Sequence, residues 1–174
     1  VLQSGGFVVT TTLDYDKQKM AEEAVATYKD QNKARGANNA SLVSLDPKTG
    51  EILAMVGSVD YFDTDNDGNV NVSIRQRQPG SSIKPIVYAK AFEDGYSPAT
   101  MLMDVRTDFG NGYIPQNYDK GFRGPVSIRQ AIGNSLNIPA VKTLELVGVR
   151  EATAFANKLG IASLNNPDRY GLSL

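Results

Sequence analysis

The chain contains no histidine and no cysteine among its 174 residues. Without histidine a Ser-His-Asp triad cannot be assembled from it. Without cysteine it has neither a thiolate nucleophile nor a disulfide framework, and the usual zinc ligands are gone with both. The redox compartment stays undecided. An excess of one charge is also lacking: 18 Lys and Arg stand against 19 Asp and Glu, a net charge of −1. No footprint for nucleic acid or for an anionic membrane surface is visible. No apolar run approaches the roughly 20 residues that a membrane-spanning helix needs. Val1-Leu2-Gln3-Ser4 has neither the charged n-region nor the apolar h-region of a signal peptide. There is no initiator methionine, and the chain reads as a piece of something longer. The apolar content of 41% and charged content of 21% are ordinary for a globular protein, and the length suits one compact domain. Covalent chemistry within this chain is left mainly to a serine activated by a lysine.

The hydrophobic pattern predicts a mixed α+β organisation. Phe7 to Thr12 is rich in β-branched residues and reads as a short strand or an extended linker. Asp14 and Asp16 can cap a helix over roughly 15–33, with Met20, Ala24, Val25 and Tyr28 near helical spacing. Residues 40–45 and 51–56 form two strand-like runs. Asp46-Pro47-Lys48-Thr49-Gly50 joins them with turn chemistry, so a β-hairpin is expected. Residues 60–72 read as an exposed acidic loop. A helix is expected from Ile83 to Glu93, then an irregular, surface-winding stretch over 96–125. Ser127-Ile128-Arg129-Gln130 is a capping box. Pro139 suits the first turn of a further helix that ends at Gly148, and Glu151 to Leu159 makes the last. The organisation expected is an entry strand and first helix over 1–38, followed by 39–174.

Gly80-Ser81-Ser82-Ile83-Lys84-Pro85 places a serine three residues ahead of a lysine where a helix begins. Residues three apart share a helix face, so the long lysine can reach the short serine. Proline tolerates only the first helical turn, which puts Ser81 at or just before the N-terminus. There the positive end of the helix dipole favours a developing alkoxide. Lys84 must be neutral to act as a base, which requires burial or a neighbouring cation to lower its pKa. The alternative is a polar Gly-Ser-Ser turn beside a surface lysine. A second constellation is Asn134-Ser135-Leu136-Asn137, between two short helices. Ser135 can relay a proton while Asn137 holds a lysine or a substrate amide. The alternative is a set of ordinary helix-boundary residues.

Taken together, S-x-x-K at Ser81 and Lys84 followed by S-x-N at Ser135 and Asn137 resembles the penicillin-binding transpeptidases. The strings Arg77 to Pro85, Gln116-Asn117-Tyr118-Asp119, Gly124 to Arg129 and Ser135 to Val141 narrow the resemblance to class A, bifunctional penicillin-binding proteins. So does Thr11-Thr12-Leu13-Asp14 with Gln18. The resemblance implies a serine β-lactamase/DD-transpeptidase fold, an antiparallel sheet beside a helical lobe, incomplete at the C-terminus. It implies Ser81 as nucleophile, Lys84 as its base, Ser135 as proton relay and Asn137 as the group that orients Lys84 and the substrate amide. Ser82 and Asn134 are expected to bind substrate. Peptidoglycan stem peptides and β-lactams are the expected partners, with no metal or organic cofactor. The parent protein is expected to carry an upstream glycosyltransferase domain and a membrane anchor, and to work outside the bacterial inner membrane. A class B transpeptidase, a β-lactamase relative and a non-catalytic binding module are the alternatives.

Two further motifs are set aside. Lys48-Thr49-Gly50 spells the family's third motif, but it precedes S-x-x-K instead of following S-x-N and sits in a hairpin turn. The true box is expected beyond Leu174, and these residues alone are expected to be inactive. Asp63 to Gly68 begins like a calcium loop, yet its twelfth position is Ile74 where a bidentate glutamate is required.

Overall fold

A computed structural model describes residues 5–172, so the reading of Val1 to Ser4 lies outside the described residues. Two compact units divide between Gln76 and Arg77, and residues 38 and 39 lie within the first.

In the first unit, Asp14 accepts from the Lys17 backbone N–H and opens helix α1, Tyr15–Thr27. The helix breaks at Tyr28 and resumes as α2, Lys29–Ala34, in place of the continuous helix expected. The reason is burial: α2 has no buried residue, so the packed face of α1 does not continue through it. The inward residues of α1 are Ala21 and Val25, whereas Met20, Ala24 and Tyr28 are exposed. They pack on an antiparallel hairpin of β1, Leu42–Leu45, and β2, Ile52–Val56, through Ala54 and Val56. The Asp46 carboxylate accepts from the Lys48 N–H at 2.7 Å, and the Gly50 N–H closes the turn on the Asp46 carbonyl at 2.8 Å. Gln18 acts as a short surrogate strand. Its side-chain oxygen accepts from Met55 N and its amide donates to Met55 O, at 2.9 and 3.3 Å. Residues 7–12 form no strand, although Thr12 donates to the Ile52 carbonyl. In the acidic loop the Asp63 carboxylate is taken up by Asp65 and Asn66.

In the second unit a 3-10 turn, Gly80–Ile83, leads into α3, Lys84–Glu93, which starts one residue later than expected. Residues 101–104, within the stretch read as irregular, form strand β3, Met101–Asp104, antiparallel to β4, Gly124–Ser127. Its inward positions are Leu102 and Asp104. An acid at an inward position breaks the apolar alternation that marks a strand, and Pro125 in β4 argues against one too. The capping box is present: the Ser127 hydroxyl accepts from Gln130 N, and the Gln130 side chain accepts from Ser127 N, opening α4, Ile128–Gly133. Helix α5, Asn137–Val147, follows, and Gly148 at φ 85° turns the chain into α6, Val149–Lys158. One apolar cluster joins Tyr88, Leu102, Val126, Ile128, Ala131, Leu136 and Ala140. It ties α3 to the small sheet and to the α4–α5 junction, which fixes Lys84 against residues 135–137.

Candidate active site

Lys84 opens α3 with Pro85 immediately behind it, and its backbone N–H bonds the Ser81 carbonyl across one turn. Ser81 is exposed in the 3-10 turn, while Lys84 is only 3% exposed. The surface-lysine alternative is therefore excluded. The buried amine donates to the Ser135 carbonyl at 2.6 Å, the Asn137 Oδ1 at 2.6 Å and the Ser135 hydroxyl at 3.2 Å. Three of the expected site residues thus meet. Among the described residues no hydrogen bond joins the Ser81 hydroxyl to Lys84, since the amine's three bonds all go to residues 135 and 137. Catalytic hydrogen bonds are often long in unliganded sites and tighten with substrate. Ser82 donates to the Pro79 carbonyl at 2.6 Å and Asn134 donates to the Gln130 carbonyl at 2.9 Å. Both are exposed, and neither joins the lysine cluster through these bonds.

Ser135 is placed by the end of α4. Its φ is 49°, in the left-handed region where a non-glycine residue is uncommon. The Ser135 N–H reaches the Ile132 carbonyl and the Leu136 N–H reaches the Ala131 carbonyl, each at 3.0 Å, which is a Schellman termination. That turn aims both the carbonyl and the hydroxyl of Ser135 at the lysine. Leu136, 2% exposed, anchors the turn in the core.

Asn137 is gripped at two points by consecutive residues. Its backbone N–H, an otherwise unpaired donor at the start of α5, bonds the Asn117 side-chain oxygen at 2.8 Å. Its side-chain amide donates to the Gln116 carbonyl at 2.7 Å, which turns its oxygen toward Lys84. Sequence reasoning gave Asn117 no role, because a buried asparagine and a loop asparagine look alike in a sequence. The same holds for Asp104, which is fully buried and bound to Asn117.

Burial lowers the Lys84 pKa from its ordinary value. The positive end of the α3 dipole acts in the same direction. No carboxylate pairs with Lys84 among the described residues, so nothing holds the proton there by charge. When the amine is neutral it keeps two N–H groups and gains a lone pair. The two carbonyl oxygens cannot donate. The hydroxyl of Ser135 can, so the lone pair has a donor in that direction, and the cluster can carry a proton between Lys84 and Ser135.

Residues 40–173 match the penicillin binding protein transpeptidase domain family, and the chain belongs to that family. Its fold is of the serine β-lactamase/DD-transpeptidase kind. Within the family its homology is to class A penicillin-binding proteins. It is 36% identical to penicillin-binding protein 1C of Escherichia coli over 88% of the chain and 20% of that protein. It is 33% identical to penicillin-binding protein 2D of Bacillus subtilis over 93% of the chain and 23% of that protein. The chain thus spans about a fifth of the length of these relatives. Among solved structures, the PonA1 protein of Mycobacterium tuberculosis in complex with penicillin V aligns with a TM-score of 0.74 at 26% identity, over 93% of the chain and 41% of that structure.

Proposed function

We propose that the chain carries the nucleophile and the proton-handling residues of a peptidoglycan D,D-transpeptidase. The observation behind this reading is the buried lysine, held by a serine and an asparagine and paired with no carboxylate among the described residues, one turn from an exposed serine. A buried amine of lowered pKa is suited to accept a proton from a hydroxyl.

Ser81 Oγ attacks the carbonyl carbon of the penultimate D-Ala of a stem peptide, and its proton passes to Lys84 Nζ. The C–N bond breaks, and the terminal D-Ala leaves with a proton delivered through the Ser135 hydroxyl. An acceptor amine then attacks the acyl ester, the C–O bond to Ser81 breaks, and the proton lost by the amine restores the serine. Water in place of the amine gives carboxypeptidase action. The backbone N–H of Ser81 supplies one donor of the oxyanion hole. Asn137 orients Lys84 and the substrate amide, with Ser82 and Asn134 on the substrate side. β-Lactams acylate the same serine, a reading supported by the penicillin V complex of the PonA1 relative.

The working context is the outer face of the bacterial inner membrane, in a protein with a glycosyltransferase domain and a membrane anchor. Among the described residues no helix is long and apolar enough to cross a membrane. The Lys-Thr/Ser-Gly box that follows S-x-N in the family is not among these 174 residues. Alone they are expected not to acylate at the rate of an intact domain.

The test is labelling of the intact protein with a fluorescent penicillin. Covalent labelling is expected, and its loss in Ser81→Ala. Labelling that survives this substitution removes Ser81 as nucleophile, and an unlabelled wild type favours a binding module without turnover.

A further inference from the structure

We propose that Asp104 and Asn117 are positioning residues that set the proton acceptor geometry around Lys84, acting through Asn137. The inference rests on the acyl-transfer reading above for its consequence in turnover, and on the geometry alone for its effect on Lys84.

The chain of contacts begins at Asp104, fully buried at the end of β3. Among the described residues this carboxyl group accepts from Asn117 Nδ2 on both oxygens at 2.9 Å, and from the Arg123 backbone N–H at 3.0 Å. Among the described residues the nearest cation is the Arg123 guanidinium at 3.9 Å, which is engaged more closely with Asp119 at 2.7 Å. A buried carboxyl group of this kind is costly unless its acceptors are satisfied. Asn117, 4% exposed, is its main partner.

Asp104 decides which way the Asn117 amide faces. Nδ2 is presented with three oxygens, two of Asp104 and the Gly121 carbonyl at 2.9 Å. A flipped amide would aim its own oxygen at all three. The unflipped amide leaves Oδ1 on the opposite side, where the Asn137 N–H meets it at 2.8 Å. Gln116, one residue earlier on the same segment, takes the Asn137 side-chain amide at 2.7 Å. Backbone and side chain of Asn137 are therefore pinned from a single two-residue platform, which Asp104 locks from behind. The output of this arrangement is the 2.6 Å contact between Asn137 Oδ1 and Lys84 Nζ.

An acceptor on a lysine favours its charged form, so loosening Asn137 must make the ammonium harder to keep. Loss of the lock is expected to lower the Lys84 proton affinity and to misplace the amine. A role confined to holding the loop together would reduce the folded fraction and leave the pH dependence unmoved.

The test uses the intact protein as wild type, Asn117→Ala, the near-isosteric Asp104→Asn and Ser81→Ala, with Lys84→Met added to each for the second readout. The first readout is the rate of acylation by a fluorescent penicillin against pH. Asn117→Ala is expected to slow acylation on the order of 10- to 100-fold through misplacement of the base. Its acid limb should move to lower pH by about one unit. Asp104→Asn should shift in the same direction by less. The second readout needs no acylation. The pH at which Lys84 binds its proton is read from the unfolding free energy of each form against the same form carrying Lys84→Met, and it should fall in Asn117→Ala. Labelling of Ser81→Ala overturns the acyl-transfer reading and leaves the second readout to decide the positioning role. Wild-type pH profiles in both variants overturn that role. If Asn117→Ala does not fold, Asp104→Asn decides alone by the same criteria.

Discussion

Replacing Lys84 by methionine turns the buried amine into a measurable slope. Methionine is unbranched and one atom shorter than lysine, and it removes the ionisable group. In the folded protein burial lowers the lysine pKa, whereas in the unfolded chain it lies near its ordinary value of about 10.4. Below the folded value both states hold the proton, and the native state bears the full penalty of a buried charge. Between the folded and unfolded values the native protein has released its proton and the unfolded chain has not. There the unfolded state binds more protons, so stability must rise with pH. For one proton the rise is at most about 1.4 kcal/mol per pH unit. Above the unfolded value the penalty is gone. The assay is urea denaturation of wild type and Lys84→Met at intervals between about pH 7 and pH 11, with linear extrapolation to water. The wild-type minus variant difference should be flat, then climb, then level. Tyrosines and the other lysines titrate in both proteins and cancel in it. A difference that stays flat throughout, or falls as pH rises, would refute the claim that burial depresses this lysine.

Two further outcomes concern stability around the same cluster. Ser135→Gly and Ser135→Ala both remove the hydroxyl, but only glycine is relaxed at φ 49°, so the glycine variant should be more stable than the alanine variant by about 1 kcal/mol in denaturant titration. Equal stability would mean that the left-handed turn carries no strain. The hydroxyl of Tyr88 is buried without a hydrogen-bond partner among the described residues, and the neighbouring Thr143 hydroxyl donates to the Pro139 carbonyl at 2.8 Å. Burial pushes the Tyr88 pKa up to about 12. Tyr88→Phe is therefore expected to be neutral or to stabilise by up to about 1 kcal/mol, and a melting temperature that falls by several degrees would contradict this.

Pro85 and the capping box at Ser127 were readable because each encodes a local backbone rule. Proline has no N–H to give and is tolerated in the first turn, so the start of α3 followed to within one residue. The serine and glutamine of the box satisfy orphan donors within four residues of one another. The Ser135–Asn137 pair was legible for a similar reason, its partner lysine being supplied by a second motif. What escaped was non-local. Strand β3 carries its second inward residue as Asp104, and an acid there makes sense only with Asn117 folded back over it from thirteen residues away. The break at Tyr28 escaped because helix propensity continues through residues whose burial does not. Met20 sits at helical spacing, yet Ala21 beside it is the residue that packs.

The junction between α4 and α5 also bears on how this part of the chain can change length. Between Gly133 and Asn137 only Asn134, Ser135 and Leu136 intervene. Each has a backbone N–H committed to α4, on Gln130, Ile132 and Ala131 respectively. Surface loops ordinarily absorb insertions at small entropic cost. This one has no slack to absorb them. An added residue would have to break the termination of α4 or rotate Asn137 away from residues 116 and 117. The single-residue gap in Ser-x-Asn therefore acts as a length gauge, and insertions between Ser135 and Asn137 would be excluded.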